Sequence, residues 1–186
     1  MIGRLPVTLE VNSTEYDIRT DFRDVLCIFS MFGDSELYEQ TKAFTCLRML
    51  YKDFDSIPED DYQEAYNQAV WFLDCGQEQK GSDHKLFDWE NDANIIFPAI
   101  NKTAGFPVRS CEYLHWWDFI GYFNEIEDGL FSYVLGIKQK ILKNKKLDKA
   151  EQEFAREHPN LVKVNEGEEK NSDAAFFLEL LGGNDV

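Results

Sequence analysis

No apolar run in the 186-residue chain approaches the roughly 20 residues that a membrane-spanning helix needs. The first residues, Met1-Ile2-Gly3-Arg4-Leu5-Pro6, lack the charged start and apolar core of a signal peptide. A soluble chain with no membrane partner and no classical export signal is therefore expected. Cysteine is scattered: Cys27, Cys46, Cys75 and Cys111 form no Cys-x-x-Cys pair, and their helical surroundings suggest reduced core residues. Cations are scarce, with 19 Lys and Arg against 35 Asp and Glu, a formal charge of -16. Nucleic acid and anionic lipid would both be repelled by that field. The chain also lacks a Gly-x-x-x-x-Gly-Lys phosphate loop, a Gly-x-Gly-x-x-Gly turn, a Gly-x-Ser-x-Gly elbow and a His-Glu-x-x-His helix. Catalysis and cofactor binding thus find no short motif, and neither an internal repeat nor a low-complexity array is visible.

What is present favours a folded domain. The chain is 44% hydrophobic and 15% aromatic, far from the composition of disorder. Its length allows burial of roughly 70% of the surface exposed by the unfolded chain. We expect a mainly α, single multi-helix domain over residues 1–158 with an N-terminal β-hairpin at 7–18. Residues 159–186 read as an acidic tail with a short amphipathic helix at 173–181.

The hairpin follows from alternation. Val7-Thr8-Leu9-Glu10-Val11 and Glu15-Tyr16-Asp17-Ile18 alternate apolar and polar residues around an Asn12-Ser13 turn. Two strands alone are marginal, so this hairpin must rest on helices or join a neighbouring subunit's sheet. From Thr20 or Asp21 the period becomes helical, through Phe22, Val25, Leu26, Phe29 and Phe32 to Gly33. A second helix, capped by Ser35, would bury Leu37, Thr41, Phe44, Leu47 and Tyr51. A third begins at Pro58 and follows Tyr62, Ala65, Tyr66, Ala69, Phe72 and Leu73 to Cys75-Gly76. Residues 77–85 read as an exposed loop.

Asp88 can cap a fourth helix running to Gly105, with a kink or break expected at Phe97 because Pro98 follows. Ser110 would cap a fifth, on which Tyr113, Trp116, Trp117, Ile120 and Phe123 share one face. Phe131 to Leu142 predicts another helix, with Gly129 and Gly136 as potential breaks. Asp148 to Glu157 predicts an exposed helix ended by Pro159.

The densest feature is Glu112-Tyr113-Leu114-His115-Trp116-Trp117-Asp118-Phe119. On one helix, Glu112 and His115 would have the i, i+3 spacing of carboxylate-histidine metal sites, but those sites need a second such pair and further glutamates, which the chain lacks. No metal is expected there. Cys111, four residues before His115, is the best nucleophile candidate, yet no third residue marks itself as an orienter of the histidine. The block is therefore expected to be structural, with Tyr113, His115, Trp116, Trp117 and Phe119 as its signature.

Two segments suggest partner binding. Lys138, Lys140, Lys143, Lys145, Lys146 and Lys149 gather six cations in one stretch. This strip is either a solvated helix face or a dock for the acidic Glu59-Asp60-Asp61 start of another copy, which would build rings or spirals. Phe176, Phe177, Leu180 and Leu181 follow a polar stretch and either fold back or lie in a partner's groove.

Four islands in order resemble a phage family known as the gene product fifteen family. They are Ile18-Arg19-Thr20-Asp21-Phe22-Arg23 after the hairpin, Ala69-Val70-Trp71-Phe72-Leu73-Asp74-Cys75-Gly76, Phe87-Asp88-Trp89-Glu90-Asn91-Asp92-Ala93, and Tyr113-Leu114-His115-Trp116-Trp117-Asp118-Phe119. The resemblance runs from Pro6 to about Val164 and implies a non-enzymatic tail-assembly chaperone without cofactors. It implies binding to the tape-measure protein and leaves contact with the major tail protein open. It also implies residence in the host bacterial cytoplasm and absence from the mature virion. The codons at Lys143-Asn144 and Lys170-Asn171 would decide whether a frameshifted longer product exists. The alternative is an acidic inhibitor that mimics nucleic acid before a host DNA-binding protein.

Overall fold

The computed structural model describes residues 3–77 and 86–164. They are mostly helical, with an N-terminal antiparallel hairpin, as periodicity and alternation predict. Two compact units divide them: one holds residues 3–77 with Tyr113–Ile120, the other residues 86–112 and 121–164.

In the first unit, strands β1 (Thr8–Val11) and β2 (Thr14–Asp17) pair in the register Leu9 to Tyr16 and Glu10 to Glu15. Asn12 and Ser13 both take positive φ, 46 and 71°, the two-residue turn whose twist suits a hairpin. Buried Leu9 and Val11 face inward, and the helix Tyr62–Leu73 packs on β1. Helix α1 (Phe22–Phe32) is capped by the Asp21 carboxylate, which accepts from the Arg23 N–H at 2.9 Å.

Helix α2 (Glu39–Leu50) packs against α1 and α3 (Tyr62–Leu73). Its buried face differs from expectation. Ala43, Cys46, Leu47 and Leu50 are buried, while Thr41 and Phe44 are exposed, because contacts with α1 and α3 on two sides rotate the buried stripe by one position from the expected one. Phe44 lies at the rim, edge-on to Phe54. Nor does Ser35 cap this helix, which starts at Glu39. The carbonyls at its end are closed by Arg19, whose Nη1 donates to Met49 and Tyr51, each at 2.9 Å.

In the second unit, α4 (Ala93–Ala104) packs on α6 (Leu130–Leu142), and α8 (Pro159–Val162) packs on α6 and α7 (Lys149–Glu157). Pro98 does not break α4: Ile95, Ile96, Phe97 and Ile100 are buried on both sides of it, and that packing outweighs the lost backbone bond. Gly136 likewise sits inside α6. Phe87, Trp89, Phe123 and Phe131 form one aromatic cluster, with ring centroids 5.0–5.8 Å apart. Asp148 and Glu151 close a reciprocal capping box on α7. Packing continues beyond Pro159, since Val162 in α8 is buried. The amphipathic segment expected at 173–181 lies outside the described residues.

The aromatic block also departs from expectation. Helix α5 (Trp116–Asn124) begins at Trp116, not at Ser110. Residues before it are extended because their backbone is used elsewhere: the Phe22 N–H donates to the Leu114 carbonyl at 3.0 Å, and the Trp116 N–H to the Thr20 carbonyl at 2.8 Å.

Candidate functional site

From Tyr113 to Phe119 the block is a joint in the first unit, and the polar groups of Tyr113, His115, Trp116 and Trp117 each have a defined task. His115 caps α5. Its carbonyl accepts the first helical bond, from the Phe119 N–H at 3.0 Å, while its Nδ1 accepts from the Trp117 N–H at 3.1 Å. An accepting Nδ1 leaves the proton on Nε2, which donates to the Pro6 carbonyl at 2.9 Å. Both ring nitrogens are thereby engaged inside a side chain only 4% exposed. Glu112 is exposed and lies outside any helix, so the i, i+3 pairing with His115 does not form.

The tandem tryptophans finish a different helix. Trp116 Nε1 donates to the Leu73 carbonyl and Trp117 Nε1 to the Phe72 carbonyl, each at 2.9 Å. Those carbonyls belong to the last turn of α3, where the helical ladder runs out, and the Phe72 carbonyl also accepts from the Cys75 N–H at 3.1 Å. Beyond them, Cys75 and Gly76 take φ of 55 and 72°, and the Gly76 N–H returns to the Trp71 carbonyl at 2.8 Å. Trp71 meets Trp117 edge-on at 5.4 Å.

The joint closes on α1. Tyr113 shares a hydrogen bond of 2.7 Å with Thr20, and the Leu114 N–H donates to the Asp21 carboxylate at 3.2 Å. Phe119 stacks on Phe22 at 4.5 Å and 9°. The first two islands thus meet a purpose in the fourth: Thr20 to Phe22 and Phe72 to Gly76 are the surfaces on which the block is fastened.

Burial also sets the thiols and one carboxylate here. It pushes the Cys46 thiol to about 12. It raises Cys75 to about 11, with help from the charge of Asp74, and raises the Asp74 carboxyl to about 6. Cys27, by contrast, is exposed, and Cys75 and Cys111 are half-buried, so the expectation of core cysteines holds fully only for Cys46. Cys111 donates to the Val108 carbonyl at 2.8 Å and precedes the start of α5 by five residues, away from the helix N-terminus that would activate a thiol. Among the described residues no three His, Cys, Asp or Glu side chains are grouped to hold a metal ion.

Comparison with known families decides the assignment. A family model described as Bacteriophage Gp15 protein matches residues 1–164. The chain belongs to this family. The match spans the hairpin, all eight helices among the described residues and the complete aromatic joint. Neither the curated proteins nor the solved structures yield a match. No helix among the described residues is long and apolar enough to cross a membrane.

In this Gp15-family chain the lysine strip separates into two classes. Lys138 is 5% exposed, and its Nζ lies 2.9 Å from Asp92 Oδ2, which also accepts from the Asp88 N–H at 3.0 Å. It is unavailable to a partner, contrary to expectation, because α6 turns that side chain toward α4. The pair borders a cavity of about 280 Å3 that Asn91, Asn160 and Lys163 also line. Lys140 bonds Glu151; that hydrogen bond raises the ammonium above its ordinary range and lowers the carboxyl below its own. Lys143, Lys145 and Lys146 are exposed. Phe176, Phe177, Leu180 and Leu181 lie outside the described residues.

Sequence reasoning missed the Asp92–Lys138 pair and the indole caps. The pair lies 46 residues apart and leaves no spacing signal. The caps had one trace: two adjacent tryptophans, each with one N–H, and a helix end at Cys75-Gly76.

Proposed function

We propose that this Gp15-family protein is a non-enzymatic tail-assembly chaperone that binds the tape-measure protein before tail subunits polymerise. What carries the proposal is how the first unit spends its aromatic residues. His115, Trp116 and Trp117 direct their polar atoms into intrachain bonds, which supports a structural role for the block. Tyr38, Trp71 and Tyr113 meanwhile remain 82, 41 and 54% exposed. Tyrosine and tryptophan are enriched where proteins meet proteins, since they offer large contact area at low entropic cost. Strong negative charge keeps such a surface soluble. Family membership supports the phage setting, and the long apolar helices expected of a tape measure supply a fitting partner.

Co-expression with the tape-measure gene of the same phage, followed by affinity purification, tests the proposal. A stable complex is expected. Absence of a complex would overturn it, and salt-sensitive capture of a host DNA-binding protein instead would favour the acidic mimic.

A further inference from the structure

The two units differ sharply in charge. Residues 3–77 carry fifteen Asp and Glu against six Lys and Arg, whereas the described residues of the second unit carry eleven against ten. One surface on each unit concentrates the contrast. Leu9 and Val11 point inward on the hairpin, so its outward face presents Glu10 directly opposite Glu15, and Thr8 opposite Asp17. Like charges placed opposite each other weaken a strand pair, and a two-stranded hairpin is already marginal. Exposed Lys52, whose N–H bonds the Asp17 carbonyl, is a nearby cation, and Asp61 reaches the hairpin tip through Asn12 at 2.6 Å.

In the second unit, Asn144 ends α6 with φ of 49°, and the Lys145 N–H returns to the Lys140 carbonyl at 2.8 Å. This tight turn presents Lys143, Lys145 and Lys146 together, and Lys149 opens α7 shortly after. All four are exposed. The helix dipole accounts for cations at the end of α6 but not for Lys149, which stands at a helix start where a cation is disfavoured.

We propose that the lysine turn of one copy docks on the acidic outward face of the hairpin of a second copy. The two surfaces lie on different units of the chain, so the contact is heterologous and repeats from copy to copy. It rests on surface charge alone and stands or falls independently of tape-measure binding.

Sedimentation of the full chain at about 50 and about 500 mM salt provides the test, since screening separates charge-driven from apolar association. The wild type should associate at low salt and weaken at least about tenfold at high salt. Lys143→Glu/Lys145→Glu/Lys146→Glu should be monomeric alone, as should Glu10→Lys/Glu15→Lys. Mixing the two should restore association, because each contact between unlike variants is again complementary. A wild type that stays monomeric at low salt overturns the proposal, as does association indifferent to salt. Unchanged association in the hairpin variant would assign its acids to protection of the strand edge and overturn it as well. The substituted residues are exposed, and the wild-type salt series decides the matter even if a variant misfolds.

Discussion

Trp116 closes the end of a helix that precedes it by more than forty residues: its Nε1 donates to the Leu73 carbonyl at 2.9 Å while the ring is 1% exposed. Trp116→Phe removes that donor and leaves a buried carbonyl without it. Losing one such partner costs about 1–3 kcal/mol, with a further contribution from the smaller ring. Trp117→Phe should cost less, because its ring is only partly buried. Urea denaturation of both variants checks the order.

Gly76 is held where other residues do not fit. Its φ is 72°, and an added Cβ would stand 3.3 Å from Trp117 and 3.4 Å from Trp71. Gly76→Ala therefore meets a left-handed penalty of roughly 1–2 kcal/mol, and the two indoles must shift to admit the methyl. A lower melting temperature with altered tryptophan fluorescence is the expected outcome.

Burial raises the Asp74 carboxyl from 3.8 to about 6, which fixes the sign of its pH effect. The folded chain binds this proton more tightly than the unfolded chain, so stability falls as pH rises from about 4 to about 6. The full linkage would approach 3 kcal/mol; since Asp74 is only half-buried, about 1 kcal/mol is the appropriate scale. Asp74→Asn should flatten that part of the stability profile, measurable by denaturation at pH 4 and pH 7.

Lys138 and Asp92 should behave as a unit. Lys138→Met alone strands a carboxylate whose side chain is 7% exposed, a loss of about 3–5 kcal/mol. Lys138→Met/Asp92→Asn should recover much of it, because the remaining amide keeps a carbonyl oxygen for the Asp88 N–H. Equal destabilisation in the single and double variants would contradict the pairing.

Much of this fold is legible in the sequence because local physics determines it. Alternation at Thr8–Val11, the Asp21 and Asp148 caps and the Leu73-to-Gly76 helix stop all act within a few residues of where they are written. The aromatic block was legible as structural and misplaced as helix. Composition at residues 110–115 permits α-helix, and the distant partners Thr20, Asp21 and Phe22 hold residues 113–115 extended. Phe44 and Lys138 were misassigned for a related reason, since residue type suggests burial or exposure whereas neighbouring helices decide it. The exposed aromatics proposed as contact surface carry no spacing pattern at all.

The soluble yield of the tape-measure protein during co-expression tests the central claim most directly. The wild-type chain should raise that yield several-fold over an empty control, and Trp71→Ser/Tyr113→Ser, if folded by its thermal melt, should lose most of the gain. A tape-measure protein equally insoluble with and without the wild-type chain would contradict the account.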